Sequence, residues 1–142
     1  MKTLNLLILT ILLLGLSGIS KGQDVCGKWK TIDDNTGKEK SIVKIYENNG
    51  KIYGKILKVF NNDDPNPLCT ECPGQLKDKP IVGMIIIIGF EKKKDKWEGD
   101  GSLLDPENGK LYNGKIWVED GKLQVRGYLG PFYRTQTWLP AE

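Results

Sequence analysis

The fold class that this sequence predicts is an all-β, eight-stranded antiparallel up-and-down barrel. Three observations carry it. Past Cys26, short segments rich in alternating or β-branched residues recur at near-regular spacing. Glycine-, asparagine- and aspartate-rich turns separate them, with no window of sustained helical periodicity. A meander of this many strands removes its exposed edges by closing on itself. A two-sheet β-sandwich is the alternative.

The strands are expected, in order, at GKWKTI (27–32), SIVKIYE (41–47), KIYGKILKV (51–59), VGMIIIIGF (82–90), KWEGDGSLL (96–104), KLYNGKIWV (110–118), KLQVRGY (122–128) and RTQTWL (134–139). Asn49-Gly50 and Asp120-Gly121 supply the positive backbone angles of tight hairpins. In Asp105-Pro106-Glu107-Asn108-Gly109 the aspartate can cap the backbone, proline sets its angle and glycine exits the turn. Glycines inside the strands, Gly54, Gly99, Gly101, Gly114 and Gly127, fit the bends and close approaches of a small barrel. VGMIIIIGF is apolar on both faces. Its outer face is expected beneath the long loop that precedes it, or against a partner.

That loop, Phe60 to Pro80, is the one long connection. Long strandless connections in compact domains usually carry function or flexibility. In a meander the first, third, fifth and seventh connections share one end. The cysteine loop therefore lies with DDNTGK, DPENG and LGPF at the expected mouth.

The chain opens Met1-Lys2, followed by an apolar, charge-free block and the small-residue tail SGISKG. This is the layout of a secretory signal peptide, with cleavage expected before Gln23. A spanning helix needs about 20 apolar residues, and Asn5 and Thr10 interrupt this shorter block. Residues 1–22 are thus read as a signal peptide and 23–142 as a single barrel domain, exported to the periplasm or beyond and without a membrane span after cleavage. Losing Lys2 and Lys21 takes the basic count from 21 to 19 against 18 acidic side chains, so the mature chain is nearly neutral. Nucleic-acid binders usually show a clustered basic face. Here the only run is Lys92-Lys93-Lys94, read as a solvated hairpin tip, and no nucleic-acid partner is assigned.

The chain contains no histidine. Histidine-based triads, metal sites and general bases are excluded with it. The three cysteines are Cys26, Cys69 and Cys72. In an oxidising compartment Cys69 and Cys72 are read as a local disulfide staple. Pairing through Cys26, a metal site and a redox centre are the alternatives. A thioredoxin-like pair would open a helix, whereas Pro65, Pro67, Pro73 and Gly74 surround this one. A structural zinc site needs four ligands, so no metal is assigned. Cys26 is left as a small buried residue.

Gly27-Lys28-Trp29 resembles the Gly-x-Trp that opens lipocalins and other calycin barrels. That resemblance implies that Trp29 closes the barrel bottom, beneath a basic side chain from a late strand, with Arg126 and Arg134 as the residues for it. More widely, GKW, PNPLC, KDKPIVGMIIIIGF, WEGDGSLLDPENGKLY, LQVRGYLG and RTQTW together resemble the bacterial family called domain of unknown function 2147, over about residues 25–140. The resemblance implies a small, exported, calycin-like barrel and brings no assigned activity.

Non-catalytic binding of a small apolar or amphipathic ligand is the leading functional reading. A barrel of this size either holds one small ligand or is filled by its own side chains. Asp105, Tyr112, Arg126, Tyr128 and Trp138 form the candidate ligand-binding set. The aromatics read as core or barrel lining. Arg126 reads as an outward strand residue, the partner of Trp29, or an anchor for an anionic head. An envelope interaction or inhibitor module is the rival. A hydrolase pairing Asp105 or Asp100 with Glu107 is the third reading; no catalytic residue and no cofactor is assigned.

Overall fold

A computed structural model describes residues 24–142. The expected signal peptide, residues 1–22, lies outside the described residues. The eight strands are β1 (Gly27–Ile32), β2 (Glu39–Asn48), β3 (Lys51–Val59), β4 (Ile85–Lys93), β5 (Lys96–Asp105), β6 (Lys110–Glu119), β7 (Lys122–Leu129) and β8 (Phe132–Pro140). Each pairs antiparallel with the next, and β1 returns to β8 through Trp29↔Pro140 and Lys30↔Leu139. The sheet is a closed barrel, and the sandwich is excluded.

β1 and β3 match the expected segments residue for residue. β4 differs. It was expected from Val82 but begins at Ile85, because the chain turns at Gly83, where φ is +93°. At its other end it runs on to Lys93, because a two-residue turn at Lys94-Asp95 is enough to reverse the chain. Lys92 and Lys93 are therefore strand residues, and only Lys94 sits at the tip expected for all three.

A cross-strand pair of glycines, Gly99 and Gly114, lets an aromatic ring fill the barrel end away from the odd-numbered connections. Phe90 is fully buried, and an added Cβ would come within 2.6 Å of its ring at either Gly99 or Gly114. Interiors pack at near-crystalline density, so the missing side chains are the room the ring occupies. Trp29 lies at this end too. It is buried, pairs with Val43, and donates its indole N–H to the Val25 carbonyl at 2.8 Å.

The long connection folds onto the barrel wall. Leu68 bridges to Pro80, Cys69 N–H donates to the Lys79 carbonyl at 2.8 Å, and Ile81 N–H donates to the Pro67 carbonyl at 2.9 Å. Cys69 and Cys72 form the expected disulfide, with Cα atoms 5.4 Å apart. Both are buried and join the hydrophobic core with Met84, Ile86 and Leu104. The loop thus supplies core as well as shape. Cys26 is the free thiol; partial burial and the neighbouring Asp24 push its pKa up to about 11, which keeps it protonated at neutral pH.

The loop meets the β5–β6 turn at van der Waals distance. Cys69 Sγ lies 3.2 Å from the Pro106 carbonyl oxygen. At Gly109, where φ is +71°, an added Cβ would sit 1.7 Å from the Glu71 carbonyl oxygen. Backbone faces backbone there, so neither side can yield. Gly109→Ala is expected to cost about 1–3 kcal/mol through left-handed strain and displacement of the loop. Dithiothreitol should also reduce Cys69–Cys72 faster in the variant, with denaturant titration and thiol release as readouts. An unchanged reduction rate would mean that the loop does not depend on this contact.

Candidate functional site

A cavity of about 500 Å³ opens at the end where β1–β2, β5–β6 and β7–β8 connect. Strand parity builds it. Counting by two from buried Trp29 on β1 reaches Thr31, and counting back from buried Trp138 on β8 reaches Gln136 and Arg134. All of these line the cavity apart from Trp29. Ile56 of β3, Ile86 of β4, Leu103 of β5, Tyr112 of β6 and Val125 of β7 line the rest of the wall.

The two sides differ in chemistry. On β8 and the β1–β2 loop a hydrogen-bonded chain climbs from depth to rim. The Trp138 indole N–H donates to Gln136 Oε1 at 3.1 Å, and Gln136 Nε2 donates to Asp34 Oδ2 at 3.2 Å. Arg134 pairs with the same Asp34 oxygen. Beside it, Thr31 and Ser41 hydroxyls lie 2.6 Å apart, on side chains 7% and 9% exposed. Below the rim, β3 through β7 line the cavity with aliphatic side chains and Tyr112, and at the rim Asp105, Glu107 and Asn108 add polar groups on that side.

The rim carries turn chemistry. Asp33 Oδ1 accepts the Thr36 and Asn35 backbone N–H groups at 2.9 Å each, which holds its carboxyl below the ordinary carboxylate range. Asp105 Oδ1 accepts the Glu107 N–H at 2.9 Å, and Glu107 pairs with Lys40 across the mouth. Asn108 Nδ2 donates to the Tyr112 hydroxyl at 3.0 Å. Asp100 is exposed on β5, outside this cavity.

Of the expected ligand-binding set, Asp105, Tyr112 and Trp138 line the cavity, whereas Arg126 and Tyr128 do not. Both pair across the sheet with outward residues, Arg126 with Lys115 and Thr135, Tyr128 with Asn113 and Tyr133. The Arg126 guanidinium stacks 5.0 Å from the Trp117 ring and 4.3 Å from the Tyr133 ring, and its Nε donates to Thr135 Oγ1 at 2.7 Å. Arg126 is therefore the outward member of its alternating pair and no ligand anchor in this cavity. Nor does it cover Trp29, and neither does Arg134, which belongs to the mouth. Both arginines lie nearer the mouth than Trp29, so the expected basic cover on the tryptophan is absent for both.

Sequence reading missed Thr31, Ser41, Asp34 and Gln136 as lining residues. The period-two count from the two tryptophans was the signal that could have found the strand members. The cysteine loop, expected at the mouth, does stand at that end, but it buttresses the β5–β6 turn and contributes no residue to the lining.

Residues 27–139 match the family described as "Uncharacterized protein conserved in bacteria (DUF2147)". The chain belongs to the DUF2147 family. A solved structure similar to this DUF2147 chain is protein HP1028 from Helicobacter pylori, described as belonging to the lipocalin family. The two align with a TM-score of 0.70 at 19% identity, over 84% of each chain. At that identity the likeness establishes the fold, so this DUF2147 barrel is lipocalin-like. No curated protein matches the chain.

Proposed function

We propose that this barrel is an exported, non-catalytic carrier that holds one small apolar or amphipathic ligand in its mouth cavity. The observation that carries the reading is the cavity itself. Its volume, about 500 Å³, falls in the range of small-molecule sites, and its wall combines aliphatic side chains with convergent polar groups. Phe90 fills the far end of the barrel and leaves the mouth end open. A filled barrel would have favoured the interaction module instead. The carboxylates of the hydrolase reading are engaged otherwise, Asp105 as a turn cap and Glu107 with Lys40. The Cys69–Cys72 disulfide and the lipocalin-like fold are compatible with export.

The interaction reading keeps one observation. Leu129, Phe132 and Tyr133, 63%, 75% and 60% exposed, crowd the β7–β8 hairpin tip. The same three residues rim the cavity, and the ligand reading takes them as its lips.

Fluorescence of N-phenyl-1-naphthylamine tests the proposal. The dye should saturate at one equivalent in the wild-type protein. Gly127 lines the cavity, and a Cβ there meets only ordinary contacts, 3.5 Å from Leu103. Gly127→Leu would therefore project into the space and should weaken the dye by about tenfold or more, or 1.4 kcal/mol. Dye binding unchanged in a folded Gly127→Leu protein would put the site elsewhere. Protein recovered from its own envelope should also begin at Gln23; a retained Met1 would overturn the export part of the reading.

A further inference from the structure

Below the rim, the polar lining is confined to one sector of the barrel. Thr31 on β1, Ser41 on β2, and Gln136 and Arg134 on β8 belong to three strands that are neighbours in the closed sheet. Asp34, on the β1–β2 loop, joins them at the rim. Below the rim, the remaining strands, β3 to β7, face them with Ile56, Ile86, Leu103 and Val125. Below the rim the cavity is therefore divided by side, polar on β8–β1–β2 and apolar on β3–β7, whereas the rim is polar on both sides through Asp34 and Arg134 on one and Asp105, Glu107 and Asn108 on the other.

The deep hydroxyl pair is under-used. Thr31 and Ser41 hold two hydroxyl protons between them, and their mutual 2.6 Å bond consumes one. Both side chains are more than nine-tenths buried and both line the cavity. The second proton can be donated to an acceptor lodged in the cavity. At the rim, Arg134 spends one Nη on Asp34, and its guanidinium offers further donors from a side chain 69% exposed. Donors thus stand at two depths on the same side.

We infer that the ligand is facially amphipathic: a rigid body with oxygen acceptors along one edge, laid on β8–β1–β2, and an apolar face laid on β3–β7. This rests on the proposed ligand-binding role and narrows it. A simple alkyl chain with a single polar head could satisfy the donors at one depth only. With its head at the rim, its methylenes would leave the second hydroxyl proton of the deep Thr31–Ser41 pair without an acceptor, which is unfavourable for a buried group.

Displacement of N-phenyl-1-naphthylamine by cholate and by laurate tests this. Each carries one carboxylate, so charge is matched; cholate is rigid with hydroxyls along one face, and laurate is a plain chain. The double variant Thr31→Val/Ser41→Ala removes both hydroxyl partners together, which leaves no orphan and preserves the fold. Cholate should bind the wild type, and the double variant should weaken it roughly five- to tenfold while changing laurate less than about twofold. Equal effects on both ligands, or no effect on cholate, would overturn the edge-on arrangement and leave the carrier reading standing. Laurate binding without cholate would do the same. Failure of the dye and of both ligands would overturn the two together.

Discussion

Trp29→Ala is expected to lower the stability of the barrel by on the order of 3–5 kcal/mol, as removal of a buried tryptophan does elsewhere. The site makes the high end reasonable. Trp29 pairs with Val43 on β2 and with Pro140 on β8, so it sits on the seam that closes the sheet. That seam has two residue pairs, against six between β1 and β2. The indole also supplies the N–H that the Val25 carbonyl accepts at 2.8 Å. Small domains have roughly 5–15 kcal/mol in total, so the variant should unfold at far lower urea concentration. Trp29→Phe keeps most of the packing and loses the donor, and should fall in between. A Trp29→Ala protein as stable as the wild type would mean that the seam does not depend on this ring.

Phe90→Ala should cost a similar amount, and the glycines around the ring make its origin testable. Phe90 is wholly buried, and Gly114 leaves its Cζ a gap that a Cβ would close to 2.6 Å. Gly114→Ala alone should therefore cost about 1–3 kcal/mol from overpacking. In the Phe90→Ala background the same change meets no ring and should cost little, or regain stability by refilling space. Leu103 Cβ, 3.0 Å from the added atom, stays as a residual contact in both backgrounds. A double-mutant cycle by chemical denaturation should give a coupling of at least about 1 kcal/mol. Additive effects would show that the ring and the glycine are independent.

Much of the fold was legible in the chain. Turn chemistry at Asn49-Gly50, Asp105–Gly109 and Asp120-Gly121 marked hairpins, and alternation marked strands, because both signals act over a few residues. The site was only half legible. Asp105, as a turn residue at the mouth, and Tyr112 and Trp138, as barrel-lining aromatics, do line the cavity, while Arg126 and Tyr128, equally suited by type, face outward. A one-residue difference in register decides which face a side chain takes. In β7, buried Leu123 and Val125 set that phase, and Arg126 and Tyr128 fall out of it. Composition says nothing about phase.

By itself the sequence determined the number of strands, their order and the absence of histidine chemistry, and it favoured the Cys69–Cys72 staple over its alternatives, since each depends on local residue type and short spacing. The tertiary structure alone decided the rest. Closure of β1 on β8 brought Asp34 beside Arg134 and Gln136, about a hundred residues away, and set Thr31 and Ser41 in the same sector. The cysteine loop became core because Gly109 lets Glu71 approach, a contact with no signature at either position alone. Phe90 fills one end of the barrel between Gly99 and Gly114, and the cavity exists because, among the described residues, no side chain fills the other. Side-chain volumes in a closed sheet are shared among strands distant in sequence, so whether space remains is settled only when all eight are in register.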